Sequence, residues 1–178
     1  MEETVIRFVP IKKPIDDNKL QISNGSIKNK LRLSYIDSLS KVSATQEIMI
    51  GEEVIGYFVI KTDTFTYDKS YENIEKEEFE ETGQKFSMIV LDLICIDERY
   101  QNKSYGTTVL KYIIKKSRKI SEFAGIRFLL VDALLEKAKW YSDNGFIAIQ
   151  DVDELCPTVK MIIDFRDKNK YEQMVLNP

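Results

Sequence analysis

The chain has 178 residues, 26 Lys plus Arg against 29 Asp plus Glu, and no histidine. Without an imidazole, Ser-His-Asp and Cys-His nucleophilic catalysis and His-rich hydrolase-type zinc sites are excluded. With 43% hydrophobic and 31% charged residues, only Cys95 and Cys156 as thiols and a net charge of −3, a single globular domain with a real core is expected, without a disulfide framework and without a default pull toward nucleic acid.

The first residues, Met1-Glu2-Glu3-Thr4, are acidic where a secretory signal would be basic. The most apolar stretch, residues 88–96, contains Asp92 and is far shorter than the about 20 residues a membrane-spanning helix needs. A cytoplasmic protein with no membrane segment is the expectation.

Residues 4–9 predict a first strand, stopped by Pro10 and Pro14. Residues 18–44 carry two conflicting signals. Asn24-Gly25 between Ile22 and Ile27 is a hairpin signal, whereas Leu31, Tyr35, Leu39 and Val42 have helical spacing that favours a helix over 29–42. Residues 47–50 and 54–61 around Gly51-Glu52-Glu53 read as an antiparallel hairpin. A polar connection over 63–86 follows, with a short acidic helix suggested by Ser70, Ile74, Glu77, Glu78, Glu80 and Glu81. Residues 88–96 are a rich β segment. The period then changes: Val109, Leu110, Ile113, Ile114, Ser117 and Ile120 fall on one helical face that ends at Gly125. A strand over 127–131, a helix over 136–142 closed by Asn144-Gly145, and strands over 146–150 and 158–165 complete the chain. This pattern is α/β (α+β), a mixed sheet with helices packed on it.

The stretch Ile94-Cys95-Ile96-Asp97-Glu98-Arg99-Tyr100-Gln101-Asn102-Lys103-Ser104-Tyr105-Gly106-Thr107 runs strand, polar loop, helix start. Such a turn aims free backbone N–H groups and the positive end of a helix dipole at one spot, which suits a phosphate. The same geometry also serves a plain strand-to-helix turn. It is neither a Walker A loop, since Gly106 is followed by Thr107-Thr108, nor a dinucleotide fingerprint, since it holds one glycine.

These residues resemble the GNAT N-acetyltransferase superfamily. Gln101-x-x-Ser104-x-Gly106 is similar to its Q/R-x-x-G-x-G/A pyrophosphate loop, and Ile94-Cys95-Ile96-Asp97 to its L-A-V-D strand end. Trp140-Tyr141-Ser142-Asp143-Asn144-Gly145-Phe146 is similar to its F-Y-x-x-x-G-F. Gly56-Tyr57-Phe58 and Leu130-Val131-Asp132-Ala133 resemble a toxin-like branch that acetylates aminoacyl-tRNA. The resemblance covers about residues 45–165 and implies a central twisted mixed sheet of six or seven strands, helices on both faces, and a cofactor-binding core over about 86–150. Two departures stand out. Ser104 replaces a usual glycine, so a positive φ there would add strain of order 1 kcal/mol. Leu134 and Leu135 stand where an asparagine often opens the penultimate helix.

The resemblance implies acetyl-CoA as acetyl donor and direct attack by an amine in a ternary complex. The cofactor would be held by Ile94, Cys95 and Ile96 along the strand and by Gln101, Asn102, Lys103, Ser104, Tyr105, Gly106 and Thr107 in the loop, with Lys103 and Lys111 as further phosphate supports. Tyr141 is the candidate general acid for the departing thiolate, since a phenol near pKa 10 stays protonated beside a thiol near 8.5. In the absence of histidine the base is a carboxylate or a water. Asp92, inside Ile89-Val90-Leu91-Asp92-Leu93, is the first carboxylate candidate, because burial would suit it to that role; pairing with a lysine is the alternative. Asp97 and Asp132 read as turn or capping residues, and Cys95 as a small core hydrophobe.

Three functions are consistent with this pattern. The first is an N-acetyltransferase acting on a primary amine of a small molecule or protein. The second is the tRNA-directed reading, opposed by the net charge and favoured by Lys111, Lys115, Lys116, Arg118 and Lys119 on one helix. The third is a non-catalytic acyl-CoA-binding or interaction domain. A homodimer is left open.

Overall fold

The computed structural model describes residues 5–16, 19–67, 83, 85–149 and 156–166. Seven strands form one mixed sheet in the order β1-β2-β3-β4-β5-β7-β6, and three α-helices accompany it among the described residues. The chain divides into two compact units, Met1–Lys61 with Leu91–Leu110, and Thr62–Val90 with Lys111–Pro178.

In the first unit, β1 (Ile6–Pro10) pairs antiparallel with β2 (Ala44–Ile50). Pro10 is paired opposite Gln46, so the proline ends the strand from inside it. Helix α1 (Gly25–Leu39) lies between them in sequence. Asn24-Gly25 is not a hairpin turn. Asn24 is the N-cap, its side-chain oxygen accepting from Ser26 N (3.0 Å) and Ile27 N (3.2 Å), and the helix starts four residues earlier than the apolar spacing suggested. That spacing also overstated the buried face: Leu31 is buried, whereas Leu39 and Val42 are exposed. Polar bonds tie α1 to β2, with Ser38 Oγ accepting from Thr45 N (3.1 Å) and Thr45 Oγ1 donating to Ser34 O (3.3 Å).

The expected hairpin is present. β2 and β3 (Glu53–Thr66) flank Gly51-Glu52, with a register shift after Ile48 that sets Ile48 opposite Gly56. Strand β4 (Lys85–Ile96) alternates in the first unit: Leu91, Leu93 and Cys95 are buried while Asp92, Ile94 and Ile96 are half-buried. Leu93 and Cys95 pack with Leu20, Ile22, Leu31, Tyr57 and Val59.

In the second unit Phe128 is fully buried, tilted against Phe65 (4.9 Å between centroids) and edge-on to Phe86 (5.8 Å), in a core with Met88, Val90, Leu130, Ile149 and Ile162. β5 (Phe128–Leu134) pairs antiparallel with β7 (Thr158–Asp164), and the two-residue β6 (Ile147–Ala148) pairs on the other side of β7. Arg127 closes this end of the sheet by donating twice to Asp164 Oδ2 (3.1 and 2.8 Å). Helix α2 (Tyr105–Ala124) buries Val109, Leu110, Ile113, Ile114 and Ser117, but Ile120, read as part of the same face, is 45% exposed. Helix α3 (Leu135–Asp143) ends on Asn144 and Gly145 as expected. No described helix is long and apolar enough to cross a membrane. The acidic segment within residues 72–81, and Gln150 at the end of a predicted strand, lie outside the described residues.

Candidate active site

The strand–loop–helix segment keeps the shape its sequence implied. After β4 ends at Ile96, residues Glu98–Tyr100 make one 3₁₀ turn, and α2 starts at Tyr105. Between them Asn102 (φ 59°) and Ser104 (φ 62°) are both left-handed. Asparagine tolerates that region; serine occupies it at a cost of about 1 kcal/mol. Gln101, just before them, is extended (φ −69°, ψ 164°), so the chain changes direction sharply before α2. The backbone bond from Thr108 N to Ser104 O (3.0 Å) opens α2, so the amides of Tyr105 and Gly106 precede the helical ladder. Amides gathered at a helix start suit an anion in general.

Gln101 acts on the loop itself. Its Nε2 donates to Ile96 O (2.9 Å), stapling the loop to the end of β4. Lys103 lies with its ammonium over the Tyr100 ring (5.3 Å). Beneath the loop stands a carboxylate the sequence marked only as a cap. Asp97 is fully buried, and caps the 3₁₀ turn through Arg99 N (2.9 Å). It also accepts from Arg99 Nε (3.0 Å), Arg99 Nη2 (2.8 Å) and Gln21 N (3.1 Å), while its own N–H donates to Ile55 O (2.8 Å). The Arg99 bonds, led by the side-chain pair, hold the Asp97 carboxyl below the usual carboxylate range despite burial. Glu98 accepts from Ser23 N (2.7 Å), and Tyr100 donates its phenol to Glu53 Oε2 (2.6 Å). Gln21, Glu53, Arg99 and Tyr100 were not singled out by sequence. Their partners lie up to 80 residues away, and no local pattern announces such pairs.

Behind β4, Gly56 accounts for its own identity. A Cβ at that position would lie 2.2 Å from the Cys95 carbonyl oxygen and 3.1 Å from Ile96 Cα. Only glycine lets β3 approach the cofactor-strand candidates this closely. Cys95 is buried, its thiol pushed up to about 12 by desolvation, which fits a core residue and not a nucleophile.

The burial expected of Asp92 is not found. Its side chain is 27% exposed, and Oδ1 is ion-paired to Lys61 Nζ (2.9 Å) and Lys30 Nζ (3.7 Å). It does share the half-buried face of β4 with Ile94 and Ile96.

In the second unit, Tyr141 sits near the C-terminal end of α3, buried, edge-on to Trp140 (4.8 Å) and Phe146 (5.4 Å). Burial raises its phenol above the ordinary value near 10. The Tyr141 carbonyl accepts from Asn144 N (3.0 Å) and Phe146 N (3.1 Å), so the turn after the helix fixes the residue's backbone. At the other end of α3, Leu134 supplies no side-chain cap, and Leu135 N instead donates to Pro157 O (3.2 Å).

No protein-family model matches the sequence, and no curated protein matches it. Solved structures do match over essentially the whole chain. The AtaT toxin complexed with acetyl-methionyl-tRNAfMet superposes with a TM-score of 0.76 at 16% identity, covering 98% of this chain and 100% of that one. A Tyr-to-Phe mutant of AtaT bound to the C-terminus of the antitoxin AtaR and acetyl-CoA gives 0.71 at 16% identity, covering 97% and 99%. A Tyr-to-Phe mutant of KacT gives 0.68 at 18% identity, covering 97% and 99%. The chain therefore has the fold of these toxins, the GNAT-like fold its motifs implied.

Proposed function

We propose that the protein is an acetyl-CoA-dependent N-acetyltransferase whose acceptor is the α-amine of an aminoacyl-tRNA. The loop geometry carries the donor half of this reading. Left-handed Asn102 and Ser104, with the first-turn amides of Tyr105 and Gly106, suit the pyrophosphate, and Ile94, Cys95 and Ile96 offer the strand along which the donor would lie. The bound donor supplies an activated acyl thioester. Tyr141, kept protonated by burial, would serve as the general acid that supplies the departing sulfur's proton. The neighbours' Tyr-to-Phe substitutions make the same chemical change that would remove this donor.

The acceptor half rests on two supports. One is the full-length likeness to a toxin solved with acetyl-methionyl-tRNAfMet. The other is chemical. The chain has no histidine, and Asp92 is held between two lysines. A protein so equipped favours an amine that needs little help to lose its proton, with water taking the proton and Asp92 serving as a charge partner of Lys61. These supports favour the tRNA-directed reading over a small-molecule or protein acceptor.

The test is radiolabelled acetyl-CoA offered to charged tRNA, to free polyamines and to lysine-containing peptides. Label recovered as N-acetyl-amino acid after base cleavage of the tRNA ester is the expected result. Label found only on free amines or peptides would overturn the acceptor assignment. Gly106→Glu places a carboxylate at the helix start and should abolish acetyl-CoA binding in calorimetry; unchanged affinity would overturn the loop assignment.

A further inference from the structure

The outer face of α2 carries more than the net charge of −3 led us to expect. Over residues 111–123 there are four exposed lysines, Lys111, Lys115, Lys116 and Lys119, against one exposed carboxylate, Glu122, while Arg118 is half-buried with its guanidinium over the Phe165 ring (6.0 Å). Lys111, Lys115 and Lys119 are all exposed and stand four residues apart. They form one row with a rise of about 6 Å between neighbours, comparable to one step of a sugar–phosphate backbone. Among the described residues none of these three has an acidic partner. The next position in the row is Phe123, which is 96% exposed. Beside it on the helix surface are Ile120, 45% exposed, and Lys116, whose ammonium lies over the Tyr112 ring at 5.6 Å.

An almost fully exposed phenyl ring costs solubility and contributes nothing to the core. Placed at the end of a row of ammonium groups with no acidic partner among the described residues, it has a use that neither feature has alone. We infer that this ridge docks an RNA strand, with phosphates along Lys111, Lys115 and Lys119 and one base stacked on Phe123. The inference rests on the tRNA reading above and adds the surface that would hold the acceptor's body. Charge calls for a polyanion and the ring decides which: an acidic peptide could follow the lysines, but an aromatic platform that takes any base by its π-face is the pairing used for single-stranded nucleic acid.

The test uses the full chain, fluorescent uncharged tRNA and a salt titration. Phe123→Ala should weaken binding about 5- to 150-fold with the salt slope unchanged, because stacking releases no counterions. Lys115→Ala with Lys119→Ala should lower the log–log salt slope by about 1.5. In acetyl transfer to aminoacyl-tRNA both variants should raise KM and leave kcat alone. If Phe123→Trp is made, its fluorescence should be quenched on adding tRNA and not on adding poly-glutamate. Wild-type affinity in Phe123→Ala, an unchanged slope in the lysine variant, or quenching by poly-glutamate alone overturns the ridge. If aminoacyl-tRNA is acetylated with wild-type KM by these variants, the ridge fails and the function stands. If the binding losses appear but aminoacyl-tRNA is never acetylated, the function fails and the ridge stands.

Discussion

Replacing Gly56 by alanine tests how closely β3 and β4 must approach in the first unit. The added Cβ would lie 2.2 Å from the Cys95 carbonyl oxygen, 3.1 Å from Ile96 Cα and 3.2 Å from Cys95 C. A carbon–oxygen contact relaxes only about 1 Å further out, and the obstacle is backbone, so no rotamer change can absorb the overlap. The strand must shift where Asp97 N donates to Ile55 O at 2.8 Å. Overpacking of this kind costs about 1–3 kcal/mol, and an obstruction by main chain belongs at the upper end, about 3 kcal/mol. For a chain of this size that corresponds to a fall of about 6–12 °C in Tm. Gly51→Ala is the matched control. Its Cβ would meet nothing within 4 Å, but its φ of 59° is left-handed. It should cost about 1 kcal/mol, by strain alone. Urea unfolding and thermal melts of both variants check the difference. A Gly56→Ala protein melting within 2 °C of wild type (roughly half a kcal/mol), or no lower than Gly51→Ala, would refute the steric account.

Three further outcomes are expected. The Asp97 carboxyl titrates below its usual value of about 3.9 in the folded protein. Its stabilisation is therefore present above about pH 4 and is lost as pH falls through the folded value. Asp97→Asn should destabilise the protein by about 2–4 kcal/mol at pH 7 and flatten the acid limb of stability against pH, as urea midpoints between pH 2 and 7 would show. Ser104→Val forces a β-branched side chain into φ 62° and should lie about 1–2 kcal/mol below Ser104→Gly in denaturant unfolding; equal stabilities would mean that the loop rearranges. Tyr141→Phe should lower kcat about 10²- to 10⁴-fold with little change in acetyl-CoA affinity. Because burial raises the phenol above its ordinary value, wild-type kcat should show no loss attributable to its ionisation below pH 10.

Much of the fold was legible because the second half of the chain has strong, local signals. The period change after Ile96, Gly125 and Asn144-Gly145 marked α2 and α3 within a few residues of their observed bounds. The strand–turn–helix shape of residues 94–107 was legible for the same reason, since one short segment contains it. The first forty residues were harder. Asn24-Gly25 serves equally as a turn and as a helix cap, and only the bonds to Ser26 N and Ile27 N distinguish them. Asp92 misled because a carboxylate in an apolar run looks buried, whereas strand alternation turns it to the half-open face beside Lys61. The scaffold under the loop was invisible. Asp97 meets Gln21, and Glu53 meets Arg99 and Tyr100, only through the folded chain.

The absence of histidine, with Asp92 ion-paired, bears on which amine the protein can use. An α-amine with pKa about 7.7–8.0 is about a tenth neutral at pH 7, whereas a lysine ε-amine near 10.4 is neutral in roughly four molecules per ten thousand. Where no tuned base acts on the nitrogen, that difference of several hundred-fold in reactive amine passes directly into kcat/KM. A lysine acetyltransferase must recover it by aiming a tuned base at the nitrogen. An enzyme for aminoacyl esters need not, because the acceptor brings the low pKa with it. Among the described residues Asp92 is the one carboxylate on the half-buried β4 face, and Lys61 holds it at 2.9 Å. Water as base is therefore adequate for the proposed aminoacyl acceptor, the same class that the proposed ridge on α2 would dock.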